Sequence, residues 1–573
     1  MPNVGLSIVE AVANGASAFR APSMRNIGLL GQFVRGAGFT PVRITSEEEF
    51  NRIFGGQNSA YYGPMTVKSI FREAGNAPVT LYIARVVNDQ FVAATKTVTL
   101  GSGGSAPTMT VTAGYKGTED PGAWGNKVKV SLYSFGSLVK GMYTLTVQCN
   151  GETETYSDTT LAKIQSAVNR VSKYAIVEFS GELGAPTYTA LTGTATASMD
   201  STTIVGTNTS FTTELAIGSA LFNNDGKAIG TVLSIVDNTH LILTGKAMVA
   251  VNGAAIKKRV DSIYEAQLTG GVDGEVVESD FYPIPSVDAP KGLACFDGFD
   301  VQILACTEFH SLTMAKQLNA YLAEKKNPVG VVNLPLGADE GTAELYANEL
   351  QTNDKSFVAG YMGWVKVPDE NGDPMLIPAL GPILGAAYLR TPYVQGNFIH
   401  IPPAGTDSLF NYVIEVVPAR LSQSAINKIV QEFTTNIIQY ADNLGYYVGS
   451  SRLYSTNDLY MSIHIRLQTS YYVRYLYAAL RYLEQKPNTP ELKREALITL
   501  RQFFQNEYNN GALERSVPFA TAYQGICDTS NNPLSQDRKL FNIDVLWIPT
   551  ECTESVQLSL QRNDGILSVI EAE

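Results

Sequence analysis

Cysteine and histidine are scarce in this 573-residue chain, which has five of the first and four of the second. Cys149, Cys295, Cys306, Cys527 and Cys552 are odd in number and none belongs to a CxxC pair. That pattern argues against a disulfide framework and a thiolate zinc site, and points to reduced packing residues of a protein folded in a cytoplasm. His240, His310, His400 and His464 stand far apart and outside any HExxH pattern, so they make no metal centre by spacing. Phosphate loops are missing as well: Gly226-Lys227 and Gly245-Lys246 lack both the earlier glycine and the following hydroxyl. No GxSxG nucleophile elbow occurs. The expectation is a protein that is not an enzyme and holds no cofactor or metal.

Long apolar runs are absent too. No stretch approaches the ~18 residues of a membrane span, and the first ten residues have neither a basic n-region nor a continuous apolar core. Neither secretion nor membrane insertion is expected. Charged residues are only 17% of the chain, with no Lys/Arg run and no basic-aromatic stripe, so direct nucleic-acid binding is not expected either.

What is present is apolar and turn-rich material: 45% hydrophobic residues, 49 glycines and 10% aromatics. This is a globular composition with substantial β content, and at about 150 residues per domain the length suggests three or four domains. The net charge of −12 is uneven, with an acidic middle and a mildly basic stretch at 452–541, where 11 basic residues face 8 acidic ones. The acidic middle reads either as solvated surface or as charge complementarity between copies.

Two acidic segments invite a chemical reading. Asp369-Glu370-Asn371-Gly372-Asp373 could hold Ca²⁺ but lacks the EF-hand's twelfth-position glutamate, and a polar turn explains it more simply. Asp297 and Asp300 could be a pair of acids for general acid/base work, and turn chemistry again accounts for them.

Along the chain, Val4, Leu6 and Ile8 alternate as one face of an isolated strand, followed by small residues from Ala11 to Ala18. Residues 27–31 and 79–87 read as strands around a helix that starts with N-cap Ser46 and capping-box Glu49 and stops at Gly55-Gly56. Residues 91–180 return to β. Between 184 and 256 the composition shifts to Thr, Ser, Ala and Gly, which marks a small inserted β-domain. Residues 285–365 read strand (294–296 and 301–306), helix, strand, helix, strand, and imply a parallel α/β layer.

In the last third, Ile426, Ile429, Val430, Phe433, Ile437, Ala441 and Leu444 predict one helix ended by Gly445. A second helix is expected at about 457–484. A third is expected from Thr489-Pro490 to Gly511. Two alternating strands follow, Phe541/Ile543/Val545/Trp547 and Val556/Leu558/Leu560. The expected segments are 1–20, 21–90, 91–183, 184–258, 259–405, 406–562 and 563–573.

The ordered motifs resemble the contractile tail sheath family outside residues 91–260. Near the start they are Ile44-Thr45-Ser46, Glu49-Phe50, Phe54-Gly55-Gly56 and the Arg85-Val86 strand; then come Gly122-Ala123-Trp124-Gly125-Asn126 and Leu268 to Gly274. Toward the C-terminus they are Arg466 with its aromatic helix, Gly511-Ala512-Leu513, Cys527 to Pro533, and the strand from Ile543 to Pro549. Between Trp364 and Pro403 the chain keeps Gly385, Tyr388, Arg390 and Pro402-Pro403 but not the family's whole pattern.

The resemblance implies an α+β and α/β multidomain fold: a sheath-like core built from both chain termini, with inserted β-rich outer domains. It also implies a structural subunit that polymerises helically around an inner tail tube and contracts, with baseplate and tail terminator proteins as further partners. The location it implies is a virion tail assembled in a host bacterial cytoplasm. Terminal arms carrying Val4, Leu6, Ile8, Leu567 and Val569 would join the sheet of a neighbour at Phe541, Ile543, Val545, Trp547, Val556, Leu558 and Leu560. The alternatives are that both ends pair within their own chain, or that the protein is another virion structural protein or an adhesin whose β-domain binds a surface.

Overall fold

The computed structural model describes residues 22–101, 106–134, 143–183, 187–260, 262–326, 328–351, 356–369, 371–418, 421–533, 542–553, 558–563 and 566–571, the last two segments as backbone only. An eight-stranded sheet forms the body of the protein. Its spatial order is Val42–Ile44, Leu81–Arg85, Ile27–Gly31, Ile303–Cys306, Val329–Asn333, Val358–Met362, Asn436–Ala441 and Gly445–Val448. The six central strands are parallel and the two outer ones antiparallel. The innermost strands are apolar along their whole length because both faces are covered, as parallel sheets require.

Alternation sends Ile27, Leu29, Ile303, Ala305 and Val331 to one core and Leu30, Leu304, Cys306 and Val358 to another. The first core takes the helices Glu47–Phe54, Tyr62–Ala74, Ile463–Leu480 and Pro490–Asn509; the second takes Leu312–Lys325 and Glu340–Leu350. The expected parallel layer over 301–365 is therefore present and extends to both flanks.

Local signals explain several elements. The Ser46 hydroxyl accepts from the Glu49 amide at 3.1 Å, and the Glu49 carboxylate takes the Thr45 amide at 3.0 Å, one residue earlier than a strict capping box. Gly55 ends that helix at φ 92. Thr489 caps the helix Pro490–Asn509 with proline at its first turn.

The helix Tyr62–Ala74 is crossed closely by residues 380–394, which contain a π-helical turn at Leu384–Arg390. Gly381 and Gly385 make the approach possible, since a Cβ would stand 2.6 Å from the Thr66 and Ile70 carbonyl oxygens respectively. The turn also aims Tyr388 at Tyr361, hydroxyl to hydroxyl at 3.1 Å, and Arg390 at the buried Glu73, 3.3 Å away. Glu73 further accepts the Asn411 and Tyr412 amides, which ties three distant segments together.

A β-domain follows the first body strands. One sheet holds Thr95–Thr99, Thr108–Tyr115 and Ala175–Phe179; the other holds Lys129–Tyr133, Tyr143–Cys149, Glu152–Asp158 and Ile263–Gln267. A helix at Leu161–Val171, capped by Thr160, shares its core; the sequence reading has no helix there. The strand Ile263–Gln267, grouped by sequence with the following segment, pairs with Lys129–Tyr133 and so closes this domain.

Between Leu183 and Ser262 lies the inserted unit, with a core of its own around Ile204, Phe211, Leu221, Val232 and Leu241. Its eight strands form one ladder. Val251–Ala254 pairs with Thr194–Ala197, while Ile256–Arg259 pairs with Ala220–Asn223. One end strand, Val251–Ala254, runs on into Ile256–Arg259, which pairs with the other end strand, Tyr188–Ala190, so one bent segment links the two ends of the ladder.

Two expectations are corrected. Residues 426–444 are not one helix: a short helix Gln423–Asn427 and a π turn Lys428–Glu432 give way to the strands Asn436–Ala441 and Gly445–Val448. The apolar spacing fits a helix, but the open flank of Val358–Met362 takes Asn436 and Ile437 in parallel register. Residues 294–296 are not a strand but part of the 3-10 turn Gly292–Phe296. Gly292, at φ 58, lies so close to the Tyr282 carbonyl that no Cβ fits, and that tight approach sets the turn.

Gly385→Ala should cost about 1–3 kcal/mol, because the new methyl meets backbone and not a mobile side chain. Urea denaturation checks this; a midpoint equal to that of the unsubstituted protein would show that the helix crossing has slack.

Candidate assembly surfaces

The helices Ile463–Leu480 and Pro490–Asn509 carry an aromatic cluster. Tyr472 lies 5.1 Å from Phe503, 5.3 Å from Phe504 and 5.1 Å from Trp547, and Phe504 stacks on Tyr523 at 4.5 Å. This platform supports a two-stranded ribbon, Tyr523–Ile526 against Asp544–Trp547. Val545 and Trp547 turn toward the platform; Leu546 faces away and is 54% exposed. Among the described residues no strand pairs the far edge of Asp544–Trp547. Between the ribbon and the two helices lies an open groove of ≈ 260 Å³ lined by Leu476, Tyr477, Leu480, Arg481, Glu484, Leu500, Ile543 and Val545.

The start of the described chain is anchored near the same helix. Arg474 donates to the Ser23 carbonyl at 2.9 Å and pairs with Asp300 at 2.9 Å. Arg25, whose burial pulls its guanidinium down to about 10, donates to the Phe398 carbonyl and to Asn397.

Of the candidate arm residues, Val4, Leu6 and Ile8 lie outside the described residues, as do Phe541 and Val556 of the candidate acceptor. Ile543, Val545 and Trp547 sit at the groove and ribbon. The strand Leu558–Asn563 does not pair with Asp544–Trp547; it forms a separate hairpin with Ile566–Glu571, in which Leu560 opposes Val569 and Arg562 opposes Leu567. In the single chain, candidate donor and acceptor residues at the C-terminus are therefore each other's partners.

The acidic segments resolve as turns. Asp369 accepts the amides of Asn371 and Asp373 at 2.8 and 2.9 Å, with Gly372 at φ 89 closing the hairpin. Asp297 is taken by Tyr321 and Lys325, and Asp300 by Gln302 and Arg474, so the two carboxylates face different partners. Among the described residues no group of three His, Cys, Asp or Glu side chains could hold a metal ion. No helix of the described residues is long and apolar enough to cross a membrane. Cys149, Cys295, Cys306 and Cys527 are buried free thiols.

Spacing alone does not reveal the joint between the body and the β-domain. Arg85, at the end of a body strand, reaches Asp120 at 3.1 Å with both side chains almost fully buried. Asp120 also accepts the Gly36 amide and the Trp124 indole N–H. Burial pushes its carboxyl up to about 6 against the opposing pull of Arg85. Arg35 adds a second tie, its guanidinium 5.3 Å from the Trp124 ring and 4.9 Å from that of Tyr174. Trp124 belongs to the Gly122–Asn126 motif, whose role here is to seat this joint.

No family model matches the sequence, and no curated protein matches it. Solved structures do. The fold is similar to that of a sheath tail protein from Listeria innocua, at 12% identity over 92% of this chain and 96% of that one, with a TM-score of 0.53. A sheath tail protein from Desulfitobacterium hafniense matches at 11% identity over 92% and 97%, with a TM-score of 0.46. A chain of the anti-feeding prophage baseplate matches at 18% identity over 47% and 70%, with a TM-score of 0.38.

Burial holds the imidazoles of His310 and His464 down at about 4. A folded-state value below the ordinary ~6.5 means that the unfolded chain binds more protons between those limits; the stability is present above about pH 6.5 and is lost as pH falls toward 4. Asp120, raised, acts in the opposite sense between about 4 and 6 and offsets part of the loss. His310→Phe should keep the packing against Tyr62 and Trp364 and reduce the stability lost between pH 7 and 5 by about 2 kcal/mol. Parallel pH profiles for the two proteins would contradict the assignment.

Proposed function

We propose that this chain is the sheath subunit of a contractile tail, polymerising helically around an inner tube and shortening to drive that tube through a target cell envelope. The observation that carries the reading is the fold likeness to the Listeria sheath tail protein over nearly the full length of both chains. The absence of phosphate-loop and nucleophile motifs in the sequence is in keeping with it. The free energy of contraction would be stored in a metastable extended lattice and released without a nucleotide.

In this reading the partners are further copies of the chain, the tube protein, and baseplate and terminator proteins, within a virion tail assembled in the host cytoplasm. The open edge of Asp544–Trp547 is the natural place for a neighbour's terminal strand, with Ile543, Val545 and Trp547 receiving Val4, Leu6 and Ile8. Strand addition gives main-chain hydrogen bonds that tolerate a change of relative orientation, as a lattice that shortens requires. The C-terminal hairpin would open so that Leu567 and Val569 exchange Arg562 and Leu560 for a neighbour. The mildly basic 452–541 region would face an acidic tube.

The test is assembly. Purified full-length chain should form long hollow tubes in negative stain, and so should a chain in which residues 187–260 are replaced by a short Gly/Ser linker, since that unit has its own core. Discrete particles from the full-length chain at every concentration would overturn the sheath reading; loss of tubes only in the linker variant would show that the inserted unit takes part in the lattice.

A further inference from the structure

The helix Pro490–Asn509 carries a carboxylate in its last turn that no cation among the described residues neutralises. Glu507 is half-buried there and accepts from the Tyr472 hydroxyl at 2.7 Å. It forms no ion pair within the described residues. Arg515, the cation at this end of the helix, is engaged elsewhere: its guanidinium donates to the Tyr508 carbonyl at 3.0 Å and to the Asn509 carbonyl.

The carboxylate is nevertheless held firmly. Gln468 and Tyr472, both buried, lie one turn apart on the helix Ile463–Leu480. The Gln468 amide donates to the Tyr472 oxygen at 2.7 Å and to the Ala512 carbonyl at 2.9 Å, which leaves the single Tyr472 proton for Glu507. Three effects then act against the charge. Burial pushes the Glu507 carboxyl above its ordinary range, against the opposing pull of Tyr472. The C-terminal end of a helix is the negative end of its macrodipole. A half-buried charge without a counter-charge also keeps most of its desolvation cost.

The position is open to another molecule. Asn506, Asn509 and Asn510 beside Glu507 are exposed, so a side chain from outside can approach the carboxylate. The same helix also presents Arg494 and Arg501, both exposed and neither in an ion pair among the described residues. Arg501 is six residues from Glu507, about 120° round the helix, and does not serve its own carboxylate. Every copy of the chain thus offers unpaired cations as well as an unpaired, positioned anion. A head-to-tail contact between identical chains brings unlike patches such as these together.

We propose that Glu507 is one half of an ion pair between subunits, completed in the polymer by a lysine or arginine side chain of a second copy. The proposal rests on the reading of the chain as a polymerising subunit and names a contact within that lattice. The free subunit carries the cost of the lone charge, and assembly removes it.

The experiment compares the full-length chain with full-length Glu507→Gln at about pH 7. Glutamine keeps the shape and can still accept from Tyr472, but it carries no charge. Thermal melting is read below the concentration at which tubes appear, and the critical concentration for tubes is read by sedimentation and negative stain over a range of NaCl. The soluble variant should melt at or above the temperature of the unsubstituted chain, and its critical concentration should be about tenfold higher and less sensitive to salt. Tubes from the variant at an equal or lower concentration would overturn the proposal. A lower melting temperature would overturn it too, since it would show the carboxylate compensated within its own chain, and an unchanged salt dependence would rule out a cationic partner. Absence of tubes from the unsubstituted chain would instead overturn the sheath reading itself.

Discussion

The parallel pairing of Ile27–Gly31 with Ile303–Cys306 is the contact on which the rest of the molecule depends. A buried strand must pair both edges, because unsatisfied backbone groups away from water cost as much as lost hydrogen bonds. Ile27–Gly31 meets that demand with Leu81–Arg85 on one side and a strand some 270 residues later on the other. Everything between Arg85 and Ile303 must therefore leave the sheet and return to the same place. That constraint makes the β-domain, and the unit inserted within it, excursions from a body they do not interrupt. The Arg85–Asp120 pair sits where the excursion begins, and removing one partner would leave the other charge buried and uncompensated.

Legibility in the sequence follows from whether a signal is local. Ser46, Gly55 and Thr489-Pro490 could be read directly because a cap acts within four residues of itself. The parallel layer could be read because the turns flanking 303–362 are short and its strands are continuously apolar. The segment 436–448 could not. Ile437, Ala441 and Leu444 satisfy a helical spacing, and only the vacant flank of Val358–Met362 decides for a strand. The crossing at Gly381 and Gly385 is equally invisible without knowing that the helix Tyr62–Ala74 lies opposite. At the candidate site, alternation picked out Ile543, Val545 and Trp547 as one face, and the structure gives that face a platform. What alternation could not show is that Leu558–Asn563 has its own partner in Ile566–Glu571, because pairing is a property of two segments.

The two β-units handle their edges differently. The inserted unit links the two ends of its ladder through one bent segment, Val251–Arg259. Among the described residues the C-terminal ribbon leaves one side of Asp544–Trp547 without a strand partner, over an aromatic platform. Globular proteins usually blunt such an edge with charge, proline or a bulge. An edge of this kind beside an apolar groove is a surface that another strand can cover.

The most direct measurement is a helical reconstruction by electron cryomicroscopy of tubes formed by the full-length chain, at a resolution that traces individual strands. The account expects a third strand hydrogen-bonded along Asp544–Trp547 that traces to a different subunit from the ribbon it joins. Tubes in which that edge stays unpaired, with neighbours meeting only through side chains of the body or the β-domain, would contradict it.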